Sequence, residues 1–351
     1  MKNQTKLILA VTLLGPLLSI IPVGFKVYSI LNSPYAGVEK RFEIKKGEGF
    51  SSINYRLHKN GYIKSSRVFH YYSKYYDRLT AYKSGTYPIK KGMSLIEISQ
   101  MFVDGKGIII SVTIPEGKNI YEVAEILAGK GVSNKKSLIK LMKNKSFTDD
   151  HGIPAEIVEG YLYPNTYMFS PDLDAKEVLT MMIKEFWKKT SALDYAHSEL
   201  TPHQVIILAS IVEKETGAGF ERPIIAGVFH NRLKKRMRLQ SDPTTIYGIY
   251  ENFDGNLRKR DLLKKTPYNT YKISGLPKGP IANPGIDAIE AVLKPEKHNF
   301  LYFVSYNDGT HKFSKTYKEH LKAVDKYQIK RRHRKGKSWR QLDMKHRKRK
   351  K

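Results

Sequence analysis

Apolar residues are spread unevenly along this chain, and their spacing divides it into distinct stretches. The first is a continuous run, Leu7 to Phe25, of 19 uncharged and mostly apolar residues flanked by Lys2, Lys6 and Lys26. A helix needs about 20 such residues to cross a hydrocarbon core of about 30 Å, whereas a cleavable signal peptide has only ~7–15. No small-residue cleavage site follows before Tyr28. The pattern predicts a retained transmembrane helix over 7–28. Lys2 and Lys6 place residues 1–6 in the cytoplasm.

Between 41 and 110 the period alternates between strand and helix. Phe42 to Ile44 reads as a strand ending at the Gly47-Glu48-Gly49 turn. A helix follows over Ser51 to Lys59, with Ser51 or Ser52 as its cap. Ser66 to Tyr76 is an aromatic-rich helix with Phe69, Tyr72 and Tyr76 on one face, a spacing that favours core over a sugar-stacking platform. Ser84 to Ile89 is a second strand, Ser94 caps a helix over Leu95 to Val103, and Ile108 to Ile114 is a third strand.

From Pro115 onward helical periods dominate: Ile120 to Lys130, Lys136 to Asn144, Ala175 to Lys189 and Pro202 to Thr216. The last is apolar almost all round from Val205 to Val212, which predicts a helix buried on every side. It runs directly into Glu213-Lys214-Glu215-Thr216. Carboxylates there lie where a core meets a cleft, and desolvation by Ile211 and Val212 raises a carboxyl pKa towards that of a general acid. At about 100° per residue the two glutamates point ~200° apart, so they do not share a cleft. The residues alone leave open whether either is catalytic, since one could simply pair with Lys214 or Arg222.

Composition sharpens this picture. The 351 residues fit roughly two domains. With no cysteine the chain has no disulfide, thiolate metal site or thiol nucleophile. The 11 histidines show no ligand spacing, and no glycine-rich nucleotide loop is present, so neither metal nor cofactor is expected. The net charge is +29, of which the segment 330–351 carries +12 with 13 Lys or Arg. That segment is expected to be a disordered basic tail, either adhering to a polyanion or simply solvated. An N-terminal anchor argues against nucleic acid as the partner.

Several loops carry carbohydrate-type chemistry, being dense in aromatic and short polar side chains. In order they are EGYLYPNTY at 159–167, LASIVEKET at 208–216, NRL at 231–233, LQSDPT at 239–244, YNTY at 268–271 and GLPKGPIANPG at 275–285. Together they resemble the endolytic murein transglycosylases of the MltG (YceG-like) family, over the chain from its anchor to about Lys326.

The resemblance implies an α+β protein: a single transmembrane helix, a small LysM-like α/β module at 41–110 and a mainly helical, lysozyme-like catalytic domain with short strands at 111–326. It implies a lytic transglycosylase that cuts the MurNAc–GlcNAc β-1,4 bond of nascent peptidoglycan strands, leaves 1,6-anhydro-MurNAc ends and terminates elongation. The implied setting is the bacterial cytoplasmic (inner) membrane with the catalytic domain on the periplasmic, extracytoplasmic side. Peptidoglycan glycan strands and the membrane are the implied partners, with room for peptidoglycan synthases. A non-catalytic, membrane-anchored cell-wall-binding scaffold is the alternative. Laid over the helix end of lysozyme-like transglycosylases, the family pattern makes Glu215 the catalytic acid, Glu213 the alternative, and Thr216 the neighbouring hydroxyl. It assigns substrate binding to Glu159, Tyr161, Tyr163, Asn165, Thr166 and Tyr167 in the first loop. In the later loops it assigns Gln240, Ser241, Asp242 and Thr244, then Tyr268, Asn269 and Tyr271.

Overall fold

The structure is a computed structural model that describes residues 22–329. The expected cytoplasmic segment 1–6, most of the span 7–28 and the tail 330–351 lie outside those residues. Among the described residues no helix is long and apolar enough to cross a membrane. The chain forms two compact units: one runs to Ile110 and includes Met168–Pro171, and the other comprises Ser111–Tyr167 and the chain from Asp172 onward. The fold is α+β, with short two-stranded sheets among many helices.

The first unit begins with helix α1 (22–31). Then come β1 (Lys40–Ile44), α2 (Phe50–Lys59), α3 (Ser66–Tyr75), β2 (Gly85–Ile89) and α4 (Leu95–Asp104). β1 and β2 are antiparallel, with Phe42 opposite Tyr87. Phe42, Ile44, Tyr87 and Ile89 therefore share a core with Leu57, Phe69, Ile98 and Phe102. Ser94 caps α4 in a reciprocal box with Glu97, as its position predicts. α2 differs: its cap is Gly49, and Ser52 instead donates to Glu48. On α3 the expected core face holds at Phe69, which is buried, and at Tyr72, which packs against the same core. Tyr76 departs from it and lies on the surface with Tyr71 and Tyr75.

Strands β3 (Ile110–Thr113) and β4 (Thr166–Phe169) each have residues in both units, and the second unit contains α5 (Ile120–Gly129), α6 (Lys135–Met142), α7 (Lys145–Asp150), α8 (Ala175–Thr190) and α9 (Pro202–Glu215). After them come α10 (Arg222–Lys234), α11 (Asp242–Gly248), α12 (Lys259–Leu263), α13 (Ile286–Leu293), the hairpin β5 (Tyr302–Ser305) with β6 (His311–Ser314), and α14 (Tyr317–Val324). α9 is the axis of this unit. Every residue from Val205 to Val212 is buried, and α10, α11 and α13 pack against it. Its start is fixed by Thr201 and Gln204 in a capping box with Pro202 in the first turn. Its end is set by Thr216, which turns to extended backbone and accepts a hydrogen bond from the Ala218 N–H at 2.9 Å. A helix held so tightly delivers its last side chains to fixed places.

Candidate active site at the end of α9

The two glutamates at the end of α9 leave it in different directions, as their angular separation requires. Glu213 is consumed by structure. Its side chain is 5% exposed, pairs with the Arg222 guanidinium at 2.9 Å and accepts the Gly285 N–H at 3.1 Å. Arg222 also reaches Glu116 at 3.3 Å and Asp287 at 3.5 Å. Both oxygens of this carboxyl are thereby engaged by the scaffold, which leaves neither directed at a cleft. The Glu116 carboxylate packs directly over Gly285, so a Cβ there, 2.0 Å from a Glu116 oxygen, would push the Glu116 side chain aside.

Glu215 has the opposite surroundings. Among the described residues no cation pairs with it; its carboxylate accepts a hydrogen bond from the Ser241 hydroxyl. Part of the residue's surface still reaches solvent, yet its carboxyl is packed round by protein atoms. Desolvation pushes its pKa up to about 7, and the charge of Asp242 adds to the rise. Ser241 and the more distant Arg232 oppose it. The group can therefore hold or release a proton near neutrality.

Ser241 is placed by a lattice of short polar bonds between two loops. Its N–H donates to Thr270 Oγ1 at 3.0 Å, and its carbonyl accepts from Thr244 Oγ1 at 2.6 Å. Thr244 and Thr270 share a 2.7 Å bond between hydroxyls, and Thr245 donates to Asn269 Oδ1 at 3.0 Å. Asn269 Nδ2 in turn donates to the Lys264 carbonyl at 2.6 Å. Gln240 enters this turn with φ +47°, a left-handed conformation uncommon outside glycine. Beside the lattice, the Tyr271 hydroxyl donates to Asp242 Oδ1 at 2.7 Å on the exposed side. Arg232 is buried and donates to the carbonyls of Leu239 and Leu301 at 2.6 and 2.7 Å, tying the LQSDPT loop to the residues ahead of β5.

The EGYLYPNTY segment behaves differently from the groove lining expected of it. Glu159 has no exposed surface. It accepts from the Ile120 N–H at 3.0 Å, the Tyr247 hydroxyl at 2.8 Å and Asn283 Nδ2 at 3.2 Å, and burial pushes its carboxyl up to about 8. Tyr161 is buried and hydrogen-bonded to His203 at 2.8 Å, and Tyr167 donates to the Tyr163 carbonyl at 2.6 Å. Tyr161, Tyr167 and Glu159 are braces inside the unit, because each polar tip finds an internal partner, and Tyr163 is buried beside them. Asn165 and Thr166 do lie on the surface, bonded to Glu185 and Thr113. Asn269 is likewise fully buried and Thr244 has no exposed surface, so both shape the site from behind. Gln240 and Asp242 are exposed, and Tyr268 and Tyr271 are half-buried.

Sequence reasoning considered Arg222 only as a pairing partner for one of the two glutamates, a pairing the structure shows with Glu213, and gave no role to Arg232, Tyr247 or Asn283, although the NRL and ANPG motifs contain two of them. Asn283 accepts the Leu162 N–H at 2.9 Å and donates to the Lys118 carbonyl at 2.8 Å, joining three segments at once. Among the described residues no group of three or more His, Asp or Glu side chains is arranged to hold a metal ion.

Comparison with known proteins places this geometry in a context. Residues 42–326 match the model of the YceG-like family. The endolytic murein transglycosylase of Bacillus subtilis is 36% identical over 302 residues, covering 81% of this chain and 83% of the relative. A protein of the same name from Streptococcus pneumoniae is 29% identical, over 75% of this chain and 53% of its own length. A crystal structure of a putative yceG-like protein from Listeria monocytogenes superimposes with a TM-score of 0.56 at 33% identity, covering 81% of this chain and 99% of that one. With a family match that spans both units and relatives alike over most of its length, this chain belongs to the YceG-like family.

Proposed function

We propose that this protein is an endolytic lytic transglycosylase of peptidoglycan, with Glu215 as its catalytic acid and base. The observation that carries the reading is the carboxyl of Glu215: desolvated, free of any paired cation, and poised near neutrality at the end of a buried helix. The names of the Bacillus and Streptococcus relatives support the same reaction class.

The chemistry needs one carboxyl in two states. Hydrolytic glycosidases set two carboxylates across the scissile bond, one of them acting on water or on the sugar. Here the muramic acid 6-hydroxyl is the internal nucleophile. Protonated Glu215 gives its proton to the glycosidic oxygen as the C1–O bond of MurNAc breaks. The resulting carboxylate then accepts the proton of the 6-hydroxyl as O6 bonds to C1, closing a 1,6-anhydro ring. Atoms balance with no water consumed. Burial favours the acid form and the Ser241 hydrogen bond favours the anion, so neither state is far from the other. Gln240, Asp242, Tyr268 and Tyr271 are the surface-reaching residues of the two loops that flank Glu215, and they hold the sugar. Asp242, whose charge acts on Glu215, is the candidate for a second carboxylate.

The finer setting belongs to the same proposal. Residues 7–28 anchor the chain in the cytoplasmic membrane, and both units act outside it on nascent strands, ending their elongation. The strand–helix–helix–strand order of β1, α2, α3 and β2 supports a LysM-like, glycan-associated role for the first unit. The test is digestion of purified peptidoglycan followed by mass spectrometry of the products. Muropeptides ending in 1,6-anhydro-MurNAc are expected. Reducing MurNAc ends would make the enzyme a hydrolase with Asp242 as its second carboxylate, and no cleavage would leave a wall-binding scaffold.

A further inference from the structure

The first unit carries an aromatic face that neither its core nor the proposed reaction uses. Tyr71, Tyr75 and Tyr76, on and just beyond α3, are 64%, 81% and 54% exposed. With Val27 and Leu31 of α1 they line an open groove of about 750 Å³, whose lining includes one charged side chain, Lys74. Phe25 and Tyr28 of α1 are also exposed. Large apolar side chains gathered on one surface mark a site of interaction rather than chance exposure.

Two observations identify the occupant. The groove lining has aromatic rings but no carboxylate or amide side chain. Sugar rings need such groups beside the aromatic face to hold their hydroxyls, so a glycan fits this groove poorly. The second is continuity. α1 begins at residue 22, within the apolar run Leu7 to Phe25 of the sequence, and Val27 and Leu31 lie two and six residues past the end of that run. Six residues of helix rise only about 9 Å. The polar layer on each side of a bilayer is roughly 5–8 Å thick. The groove therefore stands at the height of the lipid headgroups, where tyrosine rings partition and lysine side chains reach anionic lipids. Lys26, Arg67 and Lys74 are exposed on the same two helices.

We infer that the Tyr71–Tyr75–Tyr76 face is a membrane-seating surface, whose partner is the headgroup layer of the bilayer that residues 7–25 enter. This rests on the anchor reading above. It adds that the first unit does not hang from a free tether; it lies against the lipid through its tyrosines.

The natural absence of cysteine makes the test direct. Tyr75→Cys and, as a control away from the groove lining, Lys46→Cys are each introduced into the full chain and labelled with bimane. Both positions are exposed, and a thermal melt checks that each variant is folded. The proteins are reconstituted into phosphatidylcholine–phosphatidylglycerol vesicles with and without lipids brominated near the headgroup end of the chain, then floated at alkaline pH. Expected are flotation of both proteins, loss of bimane fluorescence at position 75 in brominated vesicles, and no loss at position 46. Flotation with equal, unquenched signals at both positions overturns the seating surface while leaving the anchor. Failure to float removes both. A signal at position 75 that responds to soluble glycan fragments and not to brominated lipid assigns the face to sugar instead.

Discussion

Glu213 and Glu215 are the same residue type, two positions apart on one helix, and the fold gives them opposite chemistry. Glu213 meets the Arg222 guanidinium and the Gly285 N–H, and is spent on holding α9, α10 and the start of α13 together. Glu215 meets a hydroxyl and a desolvating wall, so its proton affinity rises to about 7. The difference teaches that neighbours two residues apart on one helix can divide the work: a guanidinium ties one carboxyl into the scaffold, and a desolvating wall raises the proton affinity of the other.

That comparison can be sharpened first by breaking the structural partner. Glu213→Ala leaves the Arg222 guanidinium, only 12% exposed, without its best counter-charge. The expected cost is about 3–5 kcal/mol of stability, read from denaturant melts. Glu213→Gln, which still accepts the Gly285 N–H, should cost less. A variant as stable as the parent would mean that Glu116 and Asp287 already satisfy Arg222, and the structural role of Glu213 would fall.

Glu215 should respond with the reverse sign. A carboxyl whose folded pKa is raised binds its proton more tightly in the native state, so the native state loses stability as pH rises from about 4.5 towards 7. Glu215→Gln removes that penalty. Because the residue is partly exposed, the discounted gain is about 1–3 kcal/mol at pH 8, vanishing at pH 4. Melts at the two pH values check it. Equal stability of the two proteins at pH 8 would mean that Glu215 is not desolvated.

Smaller effects refine the environment of Glu215. In the wild-type protein, cleavage should fall as pH rises through about 7, because the acid form is lost. Ser241→Ala removes a hydrogen bond that favours the carboxylate. The alkaline limb should then move upward by up to about one pH unit, with a modest loss of rate. A limb that stays in place would show that Ser241 does not set the proton affinity.

Why was one glutamate's helix readable from the sequence and its neighbourhood less so? The run Val205 to Val212 is apolar at every helical angle, and only complete burial satisfies that pattern. The end of α9 follows from it directly. Ser241 reaches Glu215 from a loop whose conformation depends on a left-handed Gln240 and on hydroxyl bonds to Thr270, and nothing local encodes such long-range pairing. The EGYLYPNTY segment misleads for a related reason. Tyrosine is amphipathic, and its composition looks the same whether its hydroxyl meets a sugar or an internal carbonyl. In the structure Tyr161 meets His203 and Tyr167 meets the Tyr163 carbonyl. Glu159 is the extreme case, a carboxyl taken wholly inside because Ile120, Tyr247 and Asn283 each supply a donor. On α3 the error ran the other way, since helical spacing promised core for Tyr76 and the structure leaves it in the open.

The central claim is that Glu215, and not Glu213, carries the proton that cleaves the glycan. Its most direct test is a matched digestion of purified peptidoglycan by Glu215→Gln and Glu213→Gln at pH 6, with 1,6-anhydro-MurNAc ends counted by mass spectrometry per folded enzyme. A general acid–base group contributes typically ~10²–10⁴ in rate, so Glu215→Gln should lose that much while Glu213→Gln retains most of the parent's activity. The opposite ranking would move the catalytic role to Glu213, and full activity in both would take the end of α9 out of the reaction.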